Sequence, residues 1–461
     1  MITCNAVLRT TALFLAALVF ESAAHANPAW LVPTAADVDG PSLFHVSVDY
    51  AYTLDSARIE REAIAPGADP LGGVPRLDDL SFKQFRHTLT PKLELGVLRD
   101  AWVSFAVPIV IAQERELSLD GITRDASSTI RDGLLTADGF DARDPSTPLP
   151  AAGDLIFRGQ SRSGIEQLHF GLGVAFMNQQ RDPTKPTWKF GADLRIAVGK
   201  VMRFDAMKTD TETGVSKGVH ELKLWTSFAR RYDRLEGYFD MYWLVPLTAR
   251  ESSLFDDIDQ QPGTFGATNT LPGQSGGVSF GLEAFVIDDH VNANSVSFDV
   301  GARIVGHFEG RDYSEMWEVF ALAGDVRRSG PLVMDRDPSV ADVQAVSHPG
   351  ITNVENYLET AARFGVRGQL GKRMHFGVLV DVAWKTDHAI TFADAGVDLP
   401  TCTGDNGVEG RDCELDSNEL VNPGTAEVNP LHVPRIDLVG HRYLSLDNFA
   451  FSIGVQAQAL F

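Results

Sequence analysis

The chain is short of cysteine, of long apolar runs and of positive charge, and each shortage excludes something. Three of its 461 residues are cysteine, too few for a disulfide scaffold, and no Cys/His spacing of the zinc-binding kind occurs. Beyond the first few dozen residues no stretch stays apolar for the eighteen or so positions that a transmembrane helix needs. Lys and Arg total 40 against 62 Asp and Glu, a net charge of −22. That balance argues against nucleic acid, or an anionic membrane surface, bound through charge. No phosphate-binding glycine loop, nucleophile elbow, internal repeat or low-complexity segment is present.

What is present begins at the two ends. Arg9, the apolar run Thr11–Phe20 and the small residues of Ala24-His25-Ala26 have the layout of a cleaved secretory signal covering 1–26. The run is too short for an anchor, Glu21 interrupts it, and Cys4 precedes it, which excludes a lipoprotein cysteine. Residues 27–41 then form a periplasmic segment too short to fold alone, and 42–461 form the body of the protein. Export leaves Cys402 and Cys413 as the candidate disulfide. At the other end Phe449, Phe451, Ile453, Val455, Ala457, Ala459 and Phe461 alternate with small or polar residues, a period-two strand. Its aromatic terminus resembles the signal by which outer-membrane barrels are recognised for insertion, which implies the barrel-assembly machinery as a transient partner.

Between the ends lie twelve segments of the same alternation. One face of the first carries Phe44, Val46, Val48, Tyr50 and Tyr52; the other carries His45, Ser47, Asp49 and Ala51. The ninth sets Val296, Phe298, Val300, Ala302 and Ile304 against Ser297, Asp299 and Arg303. The eleventh sets Met374, Phe376, Val378, Val380, Val382 and Trp384 against His375 and Asp381. In every segment the charges share a face with Gly and Ser and never with the apolar residues. A charge facing lipid at mid-bilayer costs about 2–4 kcal/mol, so this partition is what a hydrocarbon surround imposes. Short links, as at Leu98–Asp100 and Gly368–Arg373, alternate with long polar ones: Leu54–Arg86, Glu114–Ile165, Val201–Val219, Ala249–Gly277, Glu309–Asn356 and Lys385–Leu446. The expected fold is therefore all-β, an antiparallel up-and-down transmembrane barrel of about twelve strands. It has short periplasmic turns, long extracellular loops and both ends periplasmic. Its surroundings are outer-membrane lipids and lipopolysaccharide.

The inward faces nominate the functional residues. They are Asp49, Lys92, Glu94, Asp193, Arg195, Glu221, Lys223, Asp240, Glu283, Asp299, Arg303, Glu359, Arg363, Arg367 and Asp381. Such groups pair across strands and fill the interior, or they form a charged eyelet that selects small solutes. Their near balance of sign predicts weak ion selectivity and a small conductance. Twelve strands lie between eight, which fill their own interior, and sixteen, which hold an open pore.

Other classes find less support. A barrel lipase needs Ser and His at the lipid-facing wall, and the apolar faces carry neither at mid-strand; His45, His169 and His375 face inward. Asp387 with His388, or Asp437 with His441, could be forced into a rim protease, as any long polar loop allows. An adhesin or receptor barrel also suits long loops. Asp405, Asn406, Glu409 and Asp412 between the cysteines, and Asp256, Asp257 and Asp259, read as solvated acidic loops rather than Ca²⁺ sites, so neither metal nor cofactor is implied. In the fifth long link, Asp312 and Glu315 have the spacing of a capping box ahead of Met316, Trp317 and Phe320. That marks a short helix, either packed on the rim or folded into the lumen.

The run from Pro91 to Val110, a strand, a tight turn at Asp100 and a second strand reaching Val107-Pro108, resembles a hairpin of the meta-pathway phenol-degradation-type outer-membrane proteins. More distantly it resembles the fatty-acid and toluene transporter superfamily. The resemblance covers two strands and implies passive uptake of small, often hydrophobic or aromatic, molecules. The fatty-acid transporters have more strands and an N-terminal plug. This chain departs from both features, which puts their lateral gating in doubt here.

Overall fold

The computed structural model describes residues 44–63, 74–249, 271–336, 342–395 and 429–461, with the backbone of the small strand pair 402–403 and 409–410. The signal segment, residues 27–41, Cys413, the side chain of Cys402 and the acidic loops at 256–259 and 405–412 lie outside the described side chains.

Twelve antiparallel strands close into a barrel. They are β1 (Phe44–Glu62), β2 (Arg76–Leu98), β3 (Ala101–Ala106 continued by Ile109–Leu119) and β4 (Arg162–Ile165 continued by Gln167–Met177). Next come β5 (Thr187–Ala197), β6 (Val219–Tyr232), β7 (Leu235–Ala249) and β8 (Ser275–Asp289). The last four are β9 (Asn294–His307), β10 (Tyr357–Leu370), β11 (Met374–Lys385) and β12 (Tyr443–Leu460). Each pairs with its sequence neighbours, and β12 closes the ring on β1, with Val48 opposite Ala457. At the short-turn end the Phe44 and Phe461 rings stack at 4.9 Å and their backbones exchange hydrogen bonds. Asp100 makes the turn between β2 and β3 at φ 59°, a left-handed conformation that Asp tolerates. Pro108 has no N–H to give the ladder and splits β3 in two.

The wall faces as the alternation requires. Phe298 and Val300 are 52% and 55% exposed, while Asp299 between them is 1% exposed. Two aromatic belts ring the outside, as interfacial girdles do. Near the short turns Trp188 lies between Phe176 and Phe228, 5.2 Å from each. Near the long-loop end Trp243 meets Phe308 and Trp384 meets Phe449. Thr226, a hydroxyl on the lipid face, is satisfied: it accepts from Trp188 Nε1 and donates to the Lys189 carbonyl, both at 2.9 Å.

Above the outer belt the facing inverts, and two expected loops prove to be strand. Most of Leu54–Arg86 continues the β1–β2 hairpin, and β3 runs on to Leu119. There the outward residues are polar, with Lys83 exposed, and the inward ones apolar: Ala57, Ile59, Leu80, Phe82 and Leu117 are buried. Past the headgroups water lies outside the wall, so these strands bury their apolar side toward the axis instead.

That inner face packs a plug built from the long loops. Leu134, Leu135, Phe140, Ile156 and Phe157 of the β3–β4 loop join Met316, Val319, Phe320, Leu332 and Met334 of the β9–β10 loop. Ile390, Val433 and Ile436 of the β11–β12 loop complete one core with the wall. Among the described residues these loops carry the short α-helices α1 (Ser128–Arg131), α2 (Trp317–Ala323) and α3 (Pro434–Asp437). Every residue of α2 is buried, so the helix sits in the mouth of the barrel rather than on its rim. The expected capping box does not form. Met316 occupies the N-cap with no side-chain bond, Asp312 pairs with Lys217 at 2.7 Å, and Glu315 lies 3.2 Å from Ser445 Oγ. An ion pair and a neighbouring hydroxyl engage these acids in place of the helix end.

Candidate functional site

The interior divides into three levels. The lowest, inside the membrane-spanning wall, is a lattice of charged side chains fixed by strand register. The charged residues nominated from the sequence all face inward. Arg363 and Asp381 are register partners on β10 and β11 and bond at 3.0 Å. Glu283 and Asp299 are also register partners, and two like charges directly opposite repel. Arg367 resolves this by reaching both, Glu283 at 2.8 Å and Asp299 at 3.3 Å. Glu283 further accepts from Ser297 Oγ, and Asp299 from the Tyr238 hydroxyl at 2.8 Å.

Tyr238 reaches Asp299 from β7 by lying across β8. Its path runs over Gly281 and Gly301, where a Cβ would stand 2.4 and 2.5 Å from the hydroxyl. Glycine is the residue that leaves this passage open. On the opposite wall Lys92 pairs with Glu94 at 2.8 Å, and His45 stands 3.7 Å from the same carboxylate. Arg195 and Glu221 lie 3.4 Å apart, and Arg303 and Glu359 2.8 Å. Lys223 stacks 5.0 Å over Tyr242. Asp49 and Asp240 make no ion pair among the described residues; Gln456 lies beside the first and Ser227 beside the second. Asp193 lies beside Gly171. At this level the structure brings together pairs and one triad, with no single ring of one sign. Lys189, Tyr238, Trp102 and Trp225 also belong to the lining; their inward parity was the signal available for them.

The plug forms the top level, and ion pairs join it to the wall. Arg162 of β4 donates to Glu318 of α2 through Nε at 3.0 Å and Nη2 at 2.6 Å. It also binds the carbonyls of Arg203, Glu212 and Gly214, and lies 4.8 Å over the Trp317 ring. Arg115 of β3 donates to the Ser314 carbonyl at 3.0 Å. Beyond α2, His348 packs against Gly324, and its Nδ1 accepts the Gly350 N–H at 2.9 Å. Burial, helped by Arg311, lowers the His348 imidazole to about 3. Burial raises the nearby Asp437 carboxyl to about 7, although its oxygen accepts the Val433 N–H and Arg311 pulls the other way. Of the acid–histidine pairs weighed for a protease, one member of each is engaged elsewhere. His388 Nδ1 lies 2.8 Å from the Thr386 carbonyl, and Asp437 caps its own turn.

Between plug and lattice the lumen keeps a cavity of about 190 Å³, lined from β1, β2, β3, β9, β10, β11 and β12 and roofed by residues 312–315. Among the described residues no group of His, Cys, Asp and Glu has a metal-binding arrangement.

No family model matches the chain, and no curated protein does. Solved structures of related shape include an outer membrane channel from Pseudomonas putida F1, at 9% identity and TM-score 0.41, covering 95% of this chain and 100% of that one. A Pseudomonas aeruginosa FadL homologue follows at 8% identity and TM-score 0.31, covering 90% of each chain. OmpT of Vibrio cholerae matches at 10% identity and TM-score 0.26, covering 90% of this chain and 98% of that one. At these identities and scores nothing about those proteins transfers to this chain. Its own closed wall, apolar outside and charged within, places it. The protein is a bacterial outer-membrane β-barrel.

Proposed function

We propose that the barrel is a passive channel or transporter for small solutes, hydrophobic or aromatic ones among them, and that the structure represents its shut state. The observation that carries this reading is the division of the interior. An apolar plug, packed on the inner face of the upper wall, closes the outer mouth, a polar lumen lies below it, and a cavity remains between the two. Charged linings of this kind give weak selectivity when the signs are mixed. The plug is held by the apolar core it shares with the upper wall and by ion pairs such as Arg162 with Glu318. Swelling of proteoliposomes in a panel of sugars, amino acids and aromatic acids tests the reading. Slow uptake by the wild type, accelerated several-fold by Glu318→Gln, is the expected result. No uptake by either protein, in vesicles shown to contain folded barrel, would refute it.

A further inference from the structure

This inference rests on reading the lumen as a solute route, and concerns what the cavity beneath the plug binds. A cavity of 150 Å³ holds benzene, so about 190 Å³ accommodates a compact solute of one ring or its equivalent. Phe82, Tyr313 and Tyr357 supply flat walls. Tyr357 is itself held between His307 and His388, with ring centroids 4.3 and 4.2 Å away and planes within 12° and 18° of parallel.

The polar atoms around this space are unevenly used. Of the cations, Lys217 is paired with Asp312, and Arg115 is held by Gln84 at 2.6 Å and by the Ser314 carbonyl. Of the acids, Asp55 accepts from Gln84 at 3.3 Å and Glu315 lies 3.2 Å from the Ser445 hydroxyl oxygen. Lys385 differs: among the described residues its ammonium makes neither a hydrogen bond nor an ion pair; it lies 6.0 Å from the Tyr357 ring, and the carboxylates of Asp55, Glu359 and Glu315 act on it only from beyond contact distance. Asn448 is its register partner on β12. The Asn448 Oδ1 accepts from Ser445 at 2.9 Å, while its Nδ2, on a residue 4% exposed, is buried with no acceptor among the described residues. A buried donor left unmade costs about 1–3 kcal/mol, and more for a charged group. An ammonium and an amide N–H side by side on one wall are complementary to the two oxygens of a carboxylate.

We propose that this cavity is a binding site for a solute carrying one carboxylate, received by Lys385 Nζ and Asn448 Nδ2. The charges of Lys217, Lys385 and Arg115 balance those of Asp55, Asp312 and Glu315. A simple acid and an amino acid therefore share the recognised group and differ in whether Asp55 and Glu315 also meet an ammonium.

Calorimetric titration of the purified full-length barrel in detergent with benzoate, benzamide and phenylglycine tests this. Benzoate or phenylglycine is expected to bind at least tenfold more tightly than benzamide, and the stronger of the two identifies the source of the carboxylate. Lys385→Met should abolish the preference, Lys385→Arg should retain most of it, and Asn448→Ala should weaken it several-fold. Lys83→Met, on the outer face, should change nothing. Equal affinity for the three probes, no measurable binding of any, or a preference that survives Lys385→Met while heat-dependent gel mobility shows folded barrel, overturns the site. Swelling assays on the same preparations separate the two readings. Uptake without any carboxylate preference removes the site and leaves the channel; a preference without uptake removes the channel and leaves the site.

Discussion

At the scale of single residues the lumen depends on charges that no neighbour in sequence satisfies. Arg367 is the cation that makes the opposed carboxylates of Glu283 and Asp299 tolerable. Removing one partner of a buried charged set costs about 3–5 kcal/mol, because the remaining charges stay buried. Arg367→Met should therefore lower the urea midpoint of the refolded barrel by far more than Glu283→Gln, which leaves Arg367 with Asp299. Tyr238→Phe removes one neutral donor from Asp299 and should cost about 1–3 kcal/mol. Gly301→Ala should cost at least as much, because its new methyl displaces the Tyr238 hydroxyl from the same acid. If Gly301→Ala proves neutral by the same unfolding measurement, the passage of Tyr238 over β8 is not what fixes Asp299. The inward parity of Arg367, Glu283 and Asp299 was legible in the alternation of their strands. Their grouping was not, because register between strands is set by turns and bulges rather than by the pattern within either strand.

At the scale of elements, α2 and the loops around it form a body whose stability is pH-dependent in two opposed ways. Asp437 has its carboxyl raised from 3.8 to about 7. The folded plug thus holds a proton that the unfolded loop releases, and this contribution weakens as pH rises from about 4 to 7. His348 has its imidazole lowered from 6.5 to about 3. The unfolded loop binds the extra proton, so this contribution weakens as pH falls from about 6.5 to 3. The charged groups facing them, Arg311 and Asp394, line the same small pocket. In the wild type the two trends offset between pH 4 and 6.5. Asp437→Asn leaves the histidine alone, so the hydrogen-exchange protection factors of the 317–323 amides, with the intrinsic pH dependence of exchange divided out, should be lower at pH 5 than at pH 8. His348→Gln should show the reverse order. Identical pH profiles for wild type and both variants would show that neither group titrates with plug opening. The apolar spacing of Met316, Trp317 and Phe320 announced this helix, but not its place. Its fixing contacts, Arg162 to Glu318 and Phe320 to Tyr443 at 5.4 Å, join residues far apart in the chain.

At the scale of the whole molecule one rule, apolar groups away from water, yields two opposite patterns along the same strands. Within the bilayer the rule sends Phe298 and Val300 outward; above it the rule sends Ile59, Leu80 and Leu117 inward against the plug. The barrel was legible in the sequence because the first pattern persists through twelve strands. The plug was hidden because the second resembles an interrupted strand followed by loop when only lipid-facing alternation is sought. The boundary between the two regimes falls near the outer belt, where Phe449 stands opposite Ser56 and Ser56 opposite Lys83. Substitutions on the outer surface should therefore have depth-dependent effects. Val300→Arg, at mid-wall, should destabilise the barrel in lipid vesicles by about 2–4 kcal/mol. Lys83→Leu, on the same outer surface but beyond the belt, should fall within about 0.5 kcal/mol of wild type, as exposed substitutions do. In detergent micelles, which wrap the same band, the order should hold. If Val300→Arg is as mild as Lys83→Leu in both media, the wall around β9 does not face hydrocarbon, and the charges on its other side have no reason to point to the axis.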